Sequence, residues 1–128
     1  MKNHKPREVA CGIMYNKNGK ILMGLRPLNN RYGGFWEFPG GVLEKYETIE
    51  ECLKREWIEE LNLEINIEKE IYSSIYDDKF ICRFFKGTII NEDTLKRNVH
   101  SELKFLEKNE IYKLRLFKGD KLILDILD

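Results

Sequence analysis

The stretch from Gly40 to Leu63 constrains this chain more than any other, because its acidic groups sit where an ordinary surface helix would not put them. Thr48, followed three residues later by Glu51, is a capping box, so a helix starts there. At about 100° per residue, Ile49, Cys52, Leu53 and Trp57 form one apolar stripe. On the same wheel Glu56 and Glu60, one turn apart, fall inside that stripe, and Glu59 lies at its edge. A helix that only needed solubility would carry them on the opposite side. Ionised carboxylates on a core-facing side are costly unless a cation or a hydrogen-bond partner compensates them. The helix is therefore expected to hold a metal. Glu44, Glu50, Glu51 and Lys54 read instead as a solvated face.

Spacings of three, four and one let Glu56, Glu59 and Glu60 converge on one point. Hard oxygen ligands without His or Cys suit Mg²⁺ or Mn²⁺, not zinc, and magnesium usually completes its shell with water and substrate phosphate oxygens. Arg55 can tie the loop carboxylate of Glu47 to the helix or meet a phosphate directly. Gly40 and Gly41 would let backbone approach a ligand and would permit a positive φ.

A chain of 128 residues suits one domain, 1–128, with a real core. Lys+Arg and Asp+Glu balance at 22 each, so no global field recruits a nucleic acid polymer or an anionic membrane. Cys11, Cys52 and Cys82 are odd in number, lack a paired spacing and lie in apolar segments; they read as reduced core residues of a cytoplasmic protein. His4 and His100 are far apart, which argues against zinc. Met1 to Arg7 is polar with no apolar h-region, and no apolar run reaches the roughly 18 residues of a membrane span.

In chain order, Val9–Tyr15 and Lys20–Leu25 are strands joined by the Asn16-Lys17-Asn18-Gly19 turn, and Phe35–Phe38 is a short strand. After the helix, Leu63–Ile67, Glu70–Tyr76, Lys79–Ile89 and Val99–Leu106 read as four strands, with 91–98 a loop. Lys108–Lys113 is a helical turn. Asp120–Leu127 is a terminal helix with Leu122, Ile123, Ile126 and Leu127 facing inward. This order suggests an α+β chain or an α/β/α sandwich.

Gly41, five residues, Glu47, seven residues, Arg55-Glu56, apolar Trp57, one residue, Glu59-Glu60, one residue, Asn62 and apolar Leu63 resemble the Nudix box. Only Asn62 departs, standing where the family has Gly; Asn is the next choice for a left-handed helix C-cap. The flank from Gly34 to Gly41 and the early hairpin are similar to the MutT branch. The resemblance implies the Nudix α/β/α sandwich with a mixed sheet. It also implies Mg²⁺-dependent attack of water on a nucleoside triphosphate, giving monophosphate and pyrophosphate, as in nucleotide pool sanitation. It implies metal binding by Glu56, Glu59, Glu60 and the Gly40 carbonyl, with Arg55 and Glu47 paired to orient them. Glu56 is then the first choice for general base and Glu59 the second.

Arg26, Phe38 and Asp120 match positions near the nucleobase in that branch, although Arg26 could end a strand, Phe38 fill the core and Asp120 cap the last helix. An oxidised purine triphosphate such as 8-oxo-dGTP is the expected substrate, with a cytidine triphosphate second. A weakly hydrolytic nucleotide sensor, or an enzyme for ADP-ribose, dinucleoside polyphosphates or capped RNA, are the other readings. The partner is then a small nucleotide, and the protein a monomer or homodimer. Two positions differ from many relatives. Val42 replaces a Lys near the phosphates, and Val99 replaces a Glu, for which His100 or Glu102 is the available substitute.

Overall fold

The structure, a computed structural model, describes residues 5–127; residues 1–4, with His4 among them, and Asp128 lie outside the described residues. Alternating and continuous apolar runs form β1 (Arg7–Tyr15), β2 (Ile21–Leu25), β3 (Trp36–Glu37) and β4 (Gly40–Val42). Helix α1 (Ile49–Leu61) leads to β5 (Ile65–Tyr76), β6 (Phe80–Ile89), β7 (Glu102–Leu106), α2 (Lys108–Ile111) and α3 (Asp120–Ile126). Seven strands make one sheet in the order β3-β2-β1-β6-β5, with β4 paired to β1 and β7 to β2. β1 and β6 run parallel from Arg7↔Phe80 to Tyr15↔Thr88; the other pairs are antiparallel. A parallel pair needs a long crossover, and the intervening chain supplies α1. The sheet is therefore mixed, as the family resemblance implied.

Side-chain alternation in β1 divides the core into two layers. Ala10 and Met14 face α1 and pack with Cys52, Leu53, Trp57 and Leu61. Ile13 faces the other way, into a cluster with Met23, Phe84, Ile111, Ile123 and Leu124. Helices thus cover both faces of the sheet. Between β1 and β2, Asn16 Oδ1 accepts from the backbone N–H of Asn18 and Lys20, which closes the expected turn.

Helix α1 begins as the sequence indicates. Thr48 Oγ1 accepts from the Glu51 N–H at 3.1 Å and the Glu51 carboxylate accepts from the Thr48 N–H at 2.8 Å. It ends at Asn62, left-handed at φ 56, whose N–H donates to the Ile58 carbonyl. The expected stripe of Ile49, Cys52, Leu53 and Trp57 is buried and extends to Leu61. Trp57 Nε1 donates to the Pro39 carbonyl at 2.8 Å inside the core, tying the helix to the turn before β4.

Three expectations need correction. Residues 65–76 form one strand, not two; β-bulges at 67–69 and 70–72 absorb the Glu68-Lys69-Glu70 charges on an edge strand, where they turn to solvent. The last strand is shorter than 99–106 and starts at Glu102. In α3, Ile123, Leu124 and Leu127 face the core, while Leu122 and Ile126 are exposed.

Trp57→Phe removes the bond to Pro39 while keeping most of the apolar volume, and should lower unfolding free energy by about 1–3 kcal/mol in urea titrations. An unchanged midpoint would show that the Trp57–Pro39 contact does not anchor the helix.

Candidate functional site

The site starts at the sheet-facing side of α1. Arg55 holds Glu47 with a bidentate pair, Nε to Oε2 at 3.0 Å and Nη2 to Oε1 at 2.8 Å. Its Nη1 reaches Glu59 Oε1 at 3.0 Å and lies 3.5 Å from Glu56 Oε1. The Arg55 guanidinium and then the Glu44 N–H hold the Glu47 carboxyl at about 2. One arginine therefore fixes the loop before the helix and two carboxylates on it.

Glu56 and Glu60 point inward, with side chains 17% and 13% exposed, whereas Glu59 is 54% exposed. The wheel placed these three in that order. Gly41 makes room: a Cβ there would overlap the Glu56 carboxylate. The glycine pair serves close packing and not a positive φ, because among the described glycines only Gly19, Gly34 and Gly119 adopt one.

Burial raises the Glu56 carboxyl. It pushes Glu60 up to about 9, with Glu37 and Glu56 adding repulsion. Among the described residues the Glu60 carboxylate accepts no hydrogen bond, and His100 Nε2 is 3.8 Å away. No basic residue occupies the last turn of α1, where the helix dipole already disfavours negative charge. Such a group needs either a proton or a cation. A set of carboxylate oxygens short of positive charge fits a hard divalent ion, and Glu56, Glu59, Glu60 and the Gly40 carbonyl are groups that could hold it.

At this end of the site stand His100, which the sequence offered as a substitute for the glutamate replaced at Val99, and Glu37, which it did not single out as a site residue. Glu37, on β3 between buried Trp36 and Phe38, faces His100 Nε2 at 2.7 Å and accepts from Arg26 Nη1 at 2.9 Å. Ligand atoms of Glu37, Glu60 and His100 all lie within 4.8 Å of one another. Of the two substitutes for the glutamate replaced at Val99, His100 is buried at the site. Glu102 is exposed and lies 3.5 Å from Lys104 instead. A lone acidic residue between two aromatics on a two-residue strand was the available signal for Glu37.

Beside these carboxylates opens a cavity of about 250 Å³ whose lining includes Arg26, Glu37, Phe38, Gly40, Val42 and Asp120. Its outer wall is aromatic: Tyr32 and Tyr76 meet Phe117 edge-on at 5.6 and 5.3 Å, and Phe35 stacks on Phe117 at 4.8 Å. The Tyr32 hydroxyl bonds Asp77, joining this wall to the β5–β6 turn. Cys11 and Cys82 also line the cavity and are partly accessible, unlike Cys52, so only Cys52 is a fully buried core thiol. Phe38 is buried yet borders the cavity, meeting Phe84 edge-on at 6.1 Å. Asp120 is not the helix cap; Gly119 takes that position and no side chain caps the helix. Burial, with Glu37 adding repulsion, pushes the Asp120 carboxyl up to about 7. It can therefore donate or accept near neutral pH.

The NUDIX domain family matches residues 5–125. The 8-oxo-dGTP diphosphatase of Proteus vulgaris is 42% identical over 65 residues, 51% of this chain and 58% of that protein. The CTP pyrophosphohydrolase of Escherichia coli (strain K12) is 38% identical over 66 residues, 52% of this chain and 48% of that protein. The chain thus spans about half the length of these curated relatives. The crystal structure of a MutT protein from Methanosarcina mazei Go1 superimposes with a TM-score of 0.85 at 20% identity, covering 98% of this chain and 94% of that chain, a likeness of fold.

The raised Asp120 pKa has a stability consequence. The folded state favours the protonated acid, so stability is greatest below pH 3.8 at this site, falls as pH rises towards about 7, and stays lowered above it. Asp120→Asn should therefore gain stability over the parent at pH 8 and lose that advantage by pH 4, read from paired urea titrations. A pH-independent difference would contradict the buried-acid assignment.

Proposed function

We propose that this chain, which belongs to the NUDIX family, hydrolyses a nucleoside triphosphate to nucleoside monophosphate and pyrophosphate. The observation that carries this reading is the adjacency of two unlike surfaces. Carboxylates short of positive charge on α1 adjoin an aromatic cavity lined by Arg26, Phe38 and Asp120. A polyphosphate suits the first surface and a nucleobase the second.

Glu56, Glu59, Glu60 and the Gly40 carbonyl would hold the divalent ion, Mg²⁺ or Mn²⁺ by their oxygen chemistry. When bound, that ion would neutralise polyphosphate charge and lower the pKa of a coordinated water. Arg55 and Glu47 keep the carboxylates oriented through the bidentate pair. Water attacks the β-phosphorus, the bond to the bridging oxygen of the α-phosphate breaks, and monophosphate and pyrophosphate leave. The water's proton passes to a carboxylate, Glu56 in the first instance and Glu59 in the second.

Asp120 favours an oxidised purine. With its pKa near neutrality, a protonated Asp120 can donate to a purine carbonyl while its other oxygen accepts from an N–H. The diphosphatase relative supports the same choice. A cytidine triphosphate is the second reading: ionised Asp120 would accept from the cytosine amine, and the relative from Escherichia coli is named for CTP. Among the described residues no helix is long and apolar enough to cross a membrane. A small-molecule role in the cytoplasm accords with the three free thiols.

Pyrophosphate release from 8-oxo-dGTP, dGTP, CTP and dCTP should be fastest for 8-oxo-dGTP; equal slow rates on all four would reject both substrate readings. Glu60→Gln and Glu59→Gln should each lower kcat by roughly 10²-fold or more with folding intact by circular dichroism. Near-normal turnover in either would remove these carboxylates from the chemistry.

A further inference from the structure

Glu37 and His100 lie between the α1 carboxylates and the nucleobase cavity. Both Glu37 oxygens are occupied: Oε1 by Arg26 Nη1 at 2.9 Å and Oε2 by His100 Nε2 at 2.7 Å. His100 is 2% exposed, and its Nδ1 has no hydrogen-bond partner among the described residues. Leaving a buried ring nitrogen unpaired costs free energy, so the ring's position needs a reason beyond packing. Gly24, paired with Glu37 across β2 and β3, makes its space: a Cβ there would overlap the imidazole. Facing a carboxylate at this distance, Nε2 carries the proton and donates.

Arg26 is held on two sides as a result. Its Nε donates to the Arg31 carbonyl at 3.1 Å and its Nη1 to Glu37. Its Nη2 makes no hydrogen bond among the described residues, and Arg26 lines the cavity. An unpaired guanidinium edge beside a cavity suits an oxygen acceptor.

We propose that His100 and Glu37 are positioning residues: His100 orients Glu37, Glu37 fixes the Arg26 guanidinium, and Arg26 Nη2 donates to an oxygen of the bound nucleotide. That oxygen belongs to the phosphate or to a nucleobase carbonyl; the nucleotide itself rests on the reading given above. A cation bound between Glu37, Glu60 and His100 would also use these atoms. A metal-ligating imidazole, however, usually donates its other N–H to a carboxylate, carbonyl or water, and no protein acceptor stands at Nδ1 among the described residues.

Binding of 8-oxo-dGMP and of 8-oxo-deoxyguanosine, measured calorimetrically in EDTA, tests this without metal or turnover. Glu37→Gln and His100→Leu should each weaken 8-oxo-dGMP binding roughly tenfold. His100→Gln, which keeps a donor towards Glu37, should stay within about threefold of the parent, a rescue that packing alone does not give. The double variant Glu37→Gln/His100→Leu should bind no more weakly than Glu37→Gln, because one chain of bonds is broken twice. Arg26→Gln covers the case in which a buried variant does not fold, and should lose the same roughly tenfold. Loss for 8-oxo-dGMP but not for the nucleoside places the acceptor on the phosphate; equal loss for both places it on the base. Parent-like binding by Arg26→Gln or by His100→Leu, or His100→Gln as weak as His100→Leu, overturns the proposal. A parent protein that binds neither probe overturns the oxidised-purine reading and this proposal with it.

Discussion

Two carboxylates turned inward from the second half of α1, Glu56 and Glu60, impose conditions that the surrounding structure has to meet. Both sit in poorly solvated positions, and Glu60 lies in the last turn of a helix that has no basic residue there. A helix free to rotate would move them to solvent. It is held by its Thr48–Glu51 cap, by the buried stripe ending at Leu61, and by the Trp57 bond to Pro39. Gly41 vacates the space that the Glu56 carboxylate fills. Arg55 offsets part of the charge while pinning Glu47, but it does not bond Glu60. Apolar residues at positions 56 and 60 would suit the fold better, so the fold carries these carboxylates at a stability cost that a bound cation would relieve.

The same economy of position links the two halves of the site. β4 carries Gly40 and Gly41 past the helix carboxylates, and β3 just before it delivers Glu37 and Phe38 to the cavity wall. A short step along the backbone separates groups suited to phosphate from groups suited to a base. Glu37 bridges them, bonded to Arg26 on the cavity side and to His100 beside Glu60. One helix thus contributes the carboxylates, while the cavity wall is assembled from residues at the ends of β2 and β3 and at the start of α3.

Local signals made the helix legible. A capping box, an apolar stripe and a left-handed Asn62 each act within a few residues, and misplaced glutamates stand out against such a pattern. What was not legible depended on tertiary contacts. In α3, Leu122 and Ile126 make as good an apolar pair as Ile123 and Leu124; the side facing the core is decided by the sheet beneath, which also buries Asp120. The charges of 68–70 suggested a break because edge-strand bulges are invisible in one strand alone. For Glu37 the local signal, an acid between Trp36 and Phe38, does not say what it meets. Its role comes from Arg26 and His100, eleven and 63 positions away.

Thermal unfolding with and without Mg²⁺, compared between the parent and a Glu56→Gln/Glu60→Gln variant, tests most directly whether these carboxylates are there for a cation. In EDTA the variant should melt higher than the parent, because two poorly compensated charges are gone. Added Mg²⁺ should raise the parent's Tm and leave the variant unmoved, since only the parent offers the ligands. A parent indifferent to Mg²⁺, together with a variant that melts lower in EDTA, would mean that the protein alone satisfies Glu56 and Glu60, and the metal-centred account would be wrong.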